Sequence, residues 1–216
     1  MRNLTATLCL TLTLFLGSIG VSESADFQKG YSAYQSGDYA TALREWTPLA
    51  KQGDAKAQSN LGLMYSYGQG VPQDYKTAVK WWKLAAKQGD ASAQTSLGAG
   101  YAKGNGVLQD YKTAVKWYRL AAEQGNTDAQ NNLGGMYERG RGVIKDFLYG
   151  HMWWNIAASS GHKNAVKNRD IAAKRMMPFQ LEIAQKLARK LEWVEAYPCI
   201  AQKLARECVR KKYKGC

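Results

Sequence analysis

Residues 53–88, GDAKAQSNLGLMYSYGQGVPQDYKTAVKWWKLAAKQ, run without a gap into residues 89–124, GDASAQTSLGAGYAKGNGVLQDYKTAVKWYRLAAEQ, and these into residues 125–160, GNTDAQNNLGGMYERGRGVIKDFLYGHMWWNIAASS. The register is 36 residues and is marked by Gly53, Gly89, Gly125 and Gly161. Inside it recur Ala57-Gln58, Ala93-Gln94 and Ala129-Gln130, then Leu61-Gly62, Leu97-Gly98 and Leu133-Gly134, and later Trp82, Tyr118 and Trp154. A fixed period of this length is the signature of a stacked-repeat architecture. Each unit resolves into two helices. In the first, Ala57, Leu61, Met64 and Tyr65 make one apolar stripe, Asp54 is placed to cap the start, and Gly68 to end it in the left-handed conformation. In the second, Asp74 caps, Tyr75, Ala78, Val79, Trp82, Ala85 and Ala86 form the stripe, and Gly89 terminates it. A single pair cannot hide its apolar face, but stacked pairs share one. The expected fold is therefore all-α, a right-handed α-solenoid of tandem helix-turn-helix repeats with one concave surface and a C-terminal capping helix segment.

The pattern A-x-x-x-L-G-x-x-Y, a Gly-x-Gly-Val loop with a following Asp-Tyr, then A-x-x-W-[YW] and A-A-x-Q-G resembles the SEL-one-like repeat family, a subclass of the tetratricopeptide-like helical repeats. Three full units cover residues 53–161, with Leu108 and Ile144 in place of the loop proline Pro72. A shorter pair at residues 26–52 is similar to a tetratricopeptide-type unit, with Ala42, Trp46 and Ala50 standing 36 residues before Ala78, Trp82 and Ala86. The resemblance implies a scaffold that binds other proteins rather than a reaction.

The flanks read differently. Residues 1–25 resemble an export signal: Arg2, an apolar run from Leu4 to Leu16, then Gly17, Ser18 and Gly20 before a cleavage expected near Ser24 or Ala25. An uncleaved anchor is the competing reading, but the run is short and glycine-interrupted. The protein is accordingly expected in the periplasm or outside the cell, where disulfides are permitted. Beyond Gly161 the pattern fails, because Arg169 and Asp170 stand where Leu and Gly are expected; capping helices are expected over residues 162–198, restarting at Met177-Pro178 with Leu181, Ala184, Leu187, Ala188 and Leu191 on one face. Residues 199–216 form a basic tail containing Cys199, Cys208 and Cys216. Within one helix Cys199 and Cys208 would lie ~13 Å apart, beyond disulfide reach. Cys208 with Cys216 is the easier pair and leaves one thiol free or available to another molecule.

The net charge is +13, of which +9 lies in residues 161–216. In the tail Arg206, Arg210, Lys211, Lys212 and Lys214 cluster as a candidate site for an anionic envelope polymer or membrane surface. Nucleic acid is not expected, since Tyr213 is the one aromatic available there for base stacking. Lys76, Lys80, Lys83 and Lys87, partly repeated by Lys112, Lys116 and Arg119, read as the solvated face of the second helices. Two histidines, His151 and His162, supply too little for a multi-ligand metal site or a nucleophilic triad, so no metal or cofactor is expected. His151 takes the stripe position of Val79 and Val115 and is expected to meet the cap through a hydrogen bond, the competing reading being that it marks a functional pocket; His162 takes a helix-capping position.

Positions on the first helices that lie off the stripe vary between units: Asn60, Ser96 and Asn132 form one set, Tyr67, Lys103 and Arg139 another. These suit an extended peptide or a partner's loop held on the concave side. The leading expectation is a non-enzymatic exported adaptor. The alternative is an envelope enzyme, since some cysteine-rich members of the family are linked to β-lactam or peptidoglycan chemistry. Those members carry a cysteine pair in each repeat, whereas this chain has none between Cys9 and Cys199.

Overall fold

In a computed structural model that describes residues 25–195, the chain forms ten helices and, among the described residues, no strand. They are α1 (Phe27–Ser36), α2 (Tyr39–Lys51), α3 (Ala55–Tyr67), α4 (Tyr75–Lys87), α5 (Ala91–Lys103), α6 (Tyr111–Ala122), α7 (Thr127–Arg139), α8 (Phe147–Ser159), α9 (Lys163–Ala173) and α10 (Pro178–Glu195). Consecutive helices pair antiparallel, each second helix packs on the next first helix, and the result is an all-α solenoid. None of the described helices is both long and apolar enough to cross a membrane.

The ends of the helices are set locally. Carboxylates or amides of Asp54, Asp90 and Asn126 accept from the backbone N–H of Ala57, Ala93 and Ala129 at 2.7, 2.7 and 2.9 Å. Asp74 and Asp110 each accept two backbone N–H groups and a threonine hydroxyl, from Thr77 and Thr113, and these bonds hold both carboxyls below the usual carboxylate range. The first helices of the three long units end at Gly68, Gly104 and Gly140 in the left-handed region. The second helices stop at Lys87 and Ala122 with Gln88 and Glu123 still helical in conformation, so Gly89 makes the turn one residue beyond the cap and Gly125 two residues beyond it.

Within each pair an aromatic ring is pressed directly against a glycine. A Cβ added to Gly62 would meet Trp82 at 2.3 Å; one on Gly98 would meet Tyr118 at 2.6 Å, and one on Gly134 would meet Trp154 at 2.6 Å. The same contact joins Gly30 to Trp46 in the first pair. All three indoles also donate to the backbone carbonyl three residues before the glycine they meet: Trp46 to Phe27, Trp82 to Ser59 and Trp154 to Asn131. Burying the N–H with a partner lets a large, mostly apolar ring fill the space without a stranded donor.

Between pairs, buried glutamines hold the register. Gln58, Gln94 and Gln130 donate to the carbonyls of Ala50, Ala86 and Ala122, in the last turn of the preceding helix. Gln88 and Gln124, at the ends of the second helices, donate to the side-chain oxygens of Gln58 and Gln94 within the same units, so the glutamines that cross to the preceding unit are also held by their own. The loops keep one conformation despite the change from Pro72 to Leu108 and Ile144; Asp74, Asp110 and Asp146 each donate an N–H to Tyr65, Tyr101 or Tyr137 at 2.9 Å. Leu108 and Ile144 are about nine-tenths exposed, so the proline position is not part of the packing.

The array ends in two steps. Helix α9 stacks on α8 as a further first helix, burying Ala165 and Ala172, while Lys167, Asp170 and Lys174 leave its far side polar. Helix α10 turns back and packs on α8, where Leu187 and Ala188 meet Met152 and Ile156. In α4 and α6 the equivalent positions are Lys80 and Leu84, and Lys116 and Leu120, which lie exposed on the outer surface. Helix α8 thus carries an apolar outer face that its counterparts lack.

Candidate functional site

Successive first helices touch, α3 with α5 and α5 with α7, and so form the inner row of the solenoid. Their solvent-facing side is set by helical geometry. Positions 60, 63 and 67 fall within one quadrant of α3, about a quarter-turn round from the buried stripe of Ala57, Leu61 and Met64. The structure therefore brings Asn60, Ser96 and Asn132 into one row and Tyr67, Lys103 and Arg139 into a second. Asn60, Ser96 and Asn132 are half-buried, whereas Tyr67, Lys103 and Arg139 are exposed, Tyr67 by 69 %.

Two features of this face are absent from the sequence reading. Between the rows runs a floor of Leu63, Ala99 and Gly135, whose side chains shrink from one end to the other. Over Gly135 lies the Arg139 guanidinium, with Nη1 donating to the Gly135 carbonyl at 3.4 Å; a Cβ there would sit 2.8 Å from Nη1. Both rows also continue past the third unit. Helix α9 adds Asn168 and Ile171 in the same register and Arg175 follows just beyond its end; Arg175 Nη1 approaches Glu138 Oε1 at 3.5 Å, while Arg139 Nη2 approaches Glu138 Oε2 at 3.7 Å. Asn168 is tied down, donating to the side-chain oxygen of Asn131 at 3.0 Å. Among the described residues Lys103 has no acidic partner. The second row, read along the array, is thus Tyr67, Lys103, Arg139, Arg175.

The histidines are accounted for by packing. His162 caps α9: Nδ1 accepts the N–H of Ala165 at 3.0 Å, so the proton sits on Nε2, which donates to Asp128 at 3.0 Å. His151 is buried against α9, but its Nδ1 has no hydrogen-bond partner, in contrast to the bond expected from sequence. Burial, reinforced by Arg169 and opposed by Asp170, pushes its pKa below the ordinary histidine value. The folded protein therefore prefers the neutral ring. The contribution is complete above about pH 6.5 and is lost as the pH falls through the depressed folded value, because the unfolded chain takes up the proton first. The expected result is that the unfolding midpoint of the protein falls from pH 7.5 to pH 5 more steeply than that of His151→Val, which places there the residue found at positions 79 and 115. Parallel profiles would show that His151 is not the group responsible.

The outer lysines Lys76, Lys80, Lys83, Lys87, Lys112 and Lys116 are exposed on the second helices. Arg119 departs from that stripe: it is half-buried and donates to the Tyr137 hydroxyl of α7 at 2.9 Å. Among the described residues no group of three or more His, Cys, Asp or Glu side chains is placed to hold a metal ion. The tail candidates Arg206, Arg210, Lys211, Lys212 and Lys214, and the pair Cys208 and Cys216, lie outside the described residues.

Comparison with known proteins bears on the repeats directly. The model of the Sel1 repeat matches three times in succession, at residues 55–90, 91–126 and 127–162. Among solved structures, the chain is similar to a Sel1 repeat protein from Oxalobacter formigenes, at 32 % identity over 68 % of this chain and 60 % of that one, with a TM-score of 0.63. It is also similar to c5321, a protective antigen present in uropathogenic Escherichia coli strains that displays an SLR fold, at 28 % identity over 88 % of this chain and 48 % of that one, with a TM-score of 0.56. The chain therefore spans 60 % and 48 % of the lengths of these two proteins. No curated protein matches it. With three matched units between capped helices, ring-on-glycine contacts repeated in each, and solved relatives of the same build, the chain belongs to the Sel1 repeat family.

Proposed function

We propose that this protein is an exported, non-enzymatic adaptor that holds another protein, through a loop or extended segment, in the concave face of its repeats. The observation that carries the reading is the contrast between packing and surface positions. Leu61, Leu97 and Leu133 are identical and buried, whereas the residues facing the concavity change from unit to unit, from tyrosine to lysine to arginine in one row. A scaffold that holds its core constant and varies the polar groups on its inner surface is built for recognition of a partner of several residues. The fold is the one usual for protein–protein interaction in this family. Export rests on the Arg2, Leu4–Leu16 and Ser22–Ala25 pattern alone.

A photo-crosslinking residue placed at Tyr67 or Lys103, on the inner face, is expected to trap a partner in cells expressing the full chain. The same residue at Leu84, on the outer face, is expected to trap none. Crosslinks from Leu84 with none from the inner positions would overturn the concave-face reading. N-terminal sequencing of protein from an osmotic-shock fraction is expected to begin at Ala25 or Asp26; a start at Met1 in the cytoplasmic fraction would overturn export.

A further inference from the structure

Given a partner held in the concavity, the inner face also states the chemistry of that partner. Three of its cations fall in one row and on consecutive units, Lys103 on α5, Arg139 on α7 and Arg175 just beyond α9, while Lys56 on α3 stands outside that row at the register position of Asp128. The acids on or beside this face are Asp128, already held by His162, and Glu138. Toward the first units the face is uncharged in the same two rows, with Tyr67 and Asn60.

Glu138 shows what the row accepts. Its carboxylate lies between the guanidinium groups of two successive units, 3.7 Å from Arg139 and 3.5 Å from Arg175, and so occupies the place that a ligand carboxylate would take. One acid between two arginines leaves positive charge unmatched, and Lys103 adds more.

Spacing narrows the choice of ligand. Packed helices lie roughly 8–10 Å apart, so the cations of successive units recur at about that interval. A strand turns the same face every second residue, about 7 Å, which falls out of step. A polyproline II segment has three residues per turn and rises ~3.1 Å per residue, so every third side chain faces one way at ~9 Å intervals. We propose that the concave face takes an extended acidic segment in polyproline II conformation, with carboxylates at every third position seated on Lys103, Arg139 and Arg175. Arginine is suited to this because its planar fork grips a carboxylate by two donors at once.

The proposal rests on the concave-face reading above, and the test separates the two. The probe is a fluorescent synthetic peptide of four Glu-Pro-Pro triplets, titrated by anisotropy against the full chain at low ionic strength. Comparison peptides are the Gln-Pro-Pro analogue, a Glu-Pro peptide with the same number of acids, and an oligothymidylate of similar length. The Glu-Pro-Pro peptide is expected to bind most tightly and to weaken as salt is added. Lys103→Ala, Arg139→Ala and Arg175→Ala are each expected to weaken it about three- to tenfold. Glu138→Gln, which removes the resident competitor, is expected to tighten it about threefold. Because these positions are exposed or at the rim, the variants should retain the helical circular dichroism of the parent, which is checked alongside.

Equal binding of the Gln-Pro-Pro peptide, abolished by Tyr67→Ala, would overturn the acidic partner and leave the concave-face reading standing. Equal binding of the alternating Glu-Pro peptide would overturn the three-residue register. Tighter binding of the oligothymidylate through the same three cations would overturn the peptide in favour of nucleic acid. Binding of the acidic peptide unchanged by all three substitutions would overturn the proposal as well.

Discussion

Trp82→Ala is expected to lower the unfolding free energy by about 3–5 kcal/mol, the usual loss when a buried Trp or Phe is truncated to alanine. The indole is 6 % exposed and lies against Gly62 between α3 and α4, so its removal leaves a cavity beside a residue that has no side chain with which to fill it. The neighbours are held apart by other bonds: Gln88 grips Gln58 and the Gly53 carbonyl from the end of α4, which opposes collapse of the pair. The loss also removes the bond that the Ser59 carbonyl accepts from the indole N–H at 3.3 Å. Trp82→Tyr should recover much of the stability, since Tyr118 fills the equivalent space over Gly98 in the next unit. Urea unfolding followed by circular dichroism measures both, with Leu84→Ala on the outer face as a control expected to cost far less. A Trp82→Ala loss no greater than the control's would show that the ring is not what spaces the two helices.

The second large effect belongs to a loop. Gly106 has φ of +73°, and a Cβ there would stand 2.2 Å from the carbonyl oxygen of Tyr75 and 2.5 Å from its carbon, both backbone atoms of the preceding unit. Nothing at that contact is a flexible side chain able to swing away. An alanine must therefore push the loop between α5 and α6 off the start of α4, opening the seam between two units. Gly104 provides the comparison within the same loop: its φ is +77°, but the nearest atom to a Cβ is 3.5 Å away. Gly104→Ala is expected to cost only the left-handed backbone strain, about 1–2 kcal/mol. Gly106→Ala is expected to exceed it by a further 1–3 kcal/mol, about the cost of overpacking. Gly142, 2.2 Å from the Tyr111 carbonyl, predicts the same for the next seam. Equal losses for Gly104→Ala and Gly106→Ala in thermal unfolding would mean that the seam yields without cost and that only backbone strain is being measured.

These effects differ in how far they are written in the chain. Helix starts at Asp54, Asp74, Asp90, Asp110 and Asn126 were legible because a cap is a contact over two or three residues, decided by the side chain itself. The pairing of helices was legible as well, because the 36-residue repetition of Gly62 with Trp82, Gly98 with Tyr118 and Gly134 with Trp154 matches a void to a ring in every unit. Part of the inner face followed: Asn60, Ser96, Asn132, Tyr67, Lys103 and Arg139 share a side of their helices by period alone.

The far end of the array did not follow in the same way. Arg169 and Asp170 break the Leu-Gly signature, so nothing in the chain's own repetition extends the cationic row to Arg175, although α9 stacks in register and brings that arginine to Glu138. The signal for the outer docking of α10 was present, in Met152 and Ile156 where α6 has Lys116 and Leu120, but it names an apolar face without naming what covers it. Local sequence determined the helices, their caps and the rings that space each pair, because those interactions close within one unit. The end of the stack, the docking of α10 and the joining of Arg139 to Arg175 were decided only in three dimensions, because each depends on contact between helices whose sequences carry no shared repeat to announce it.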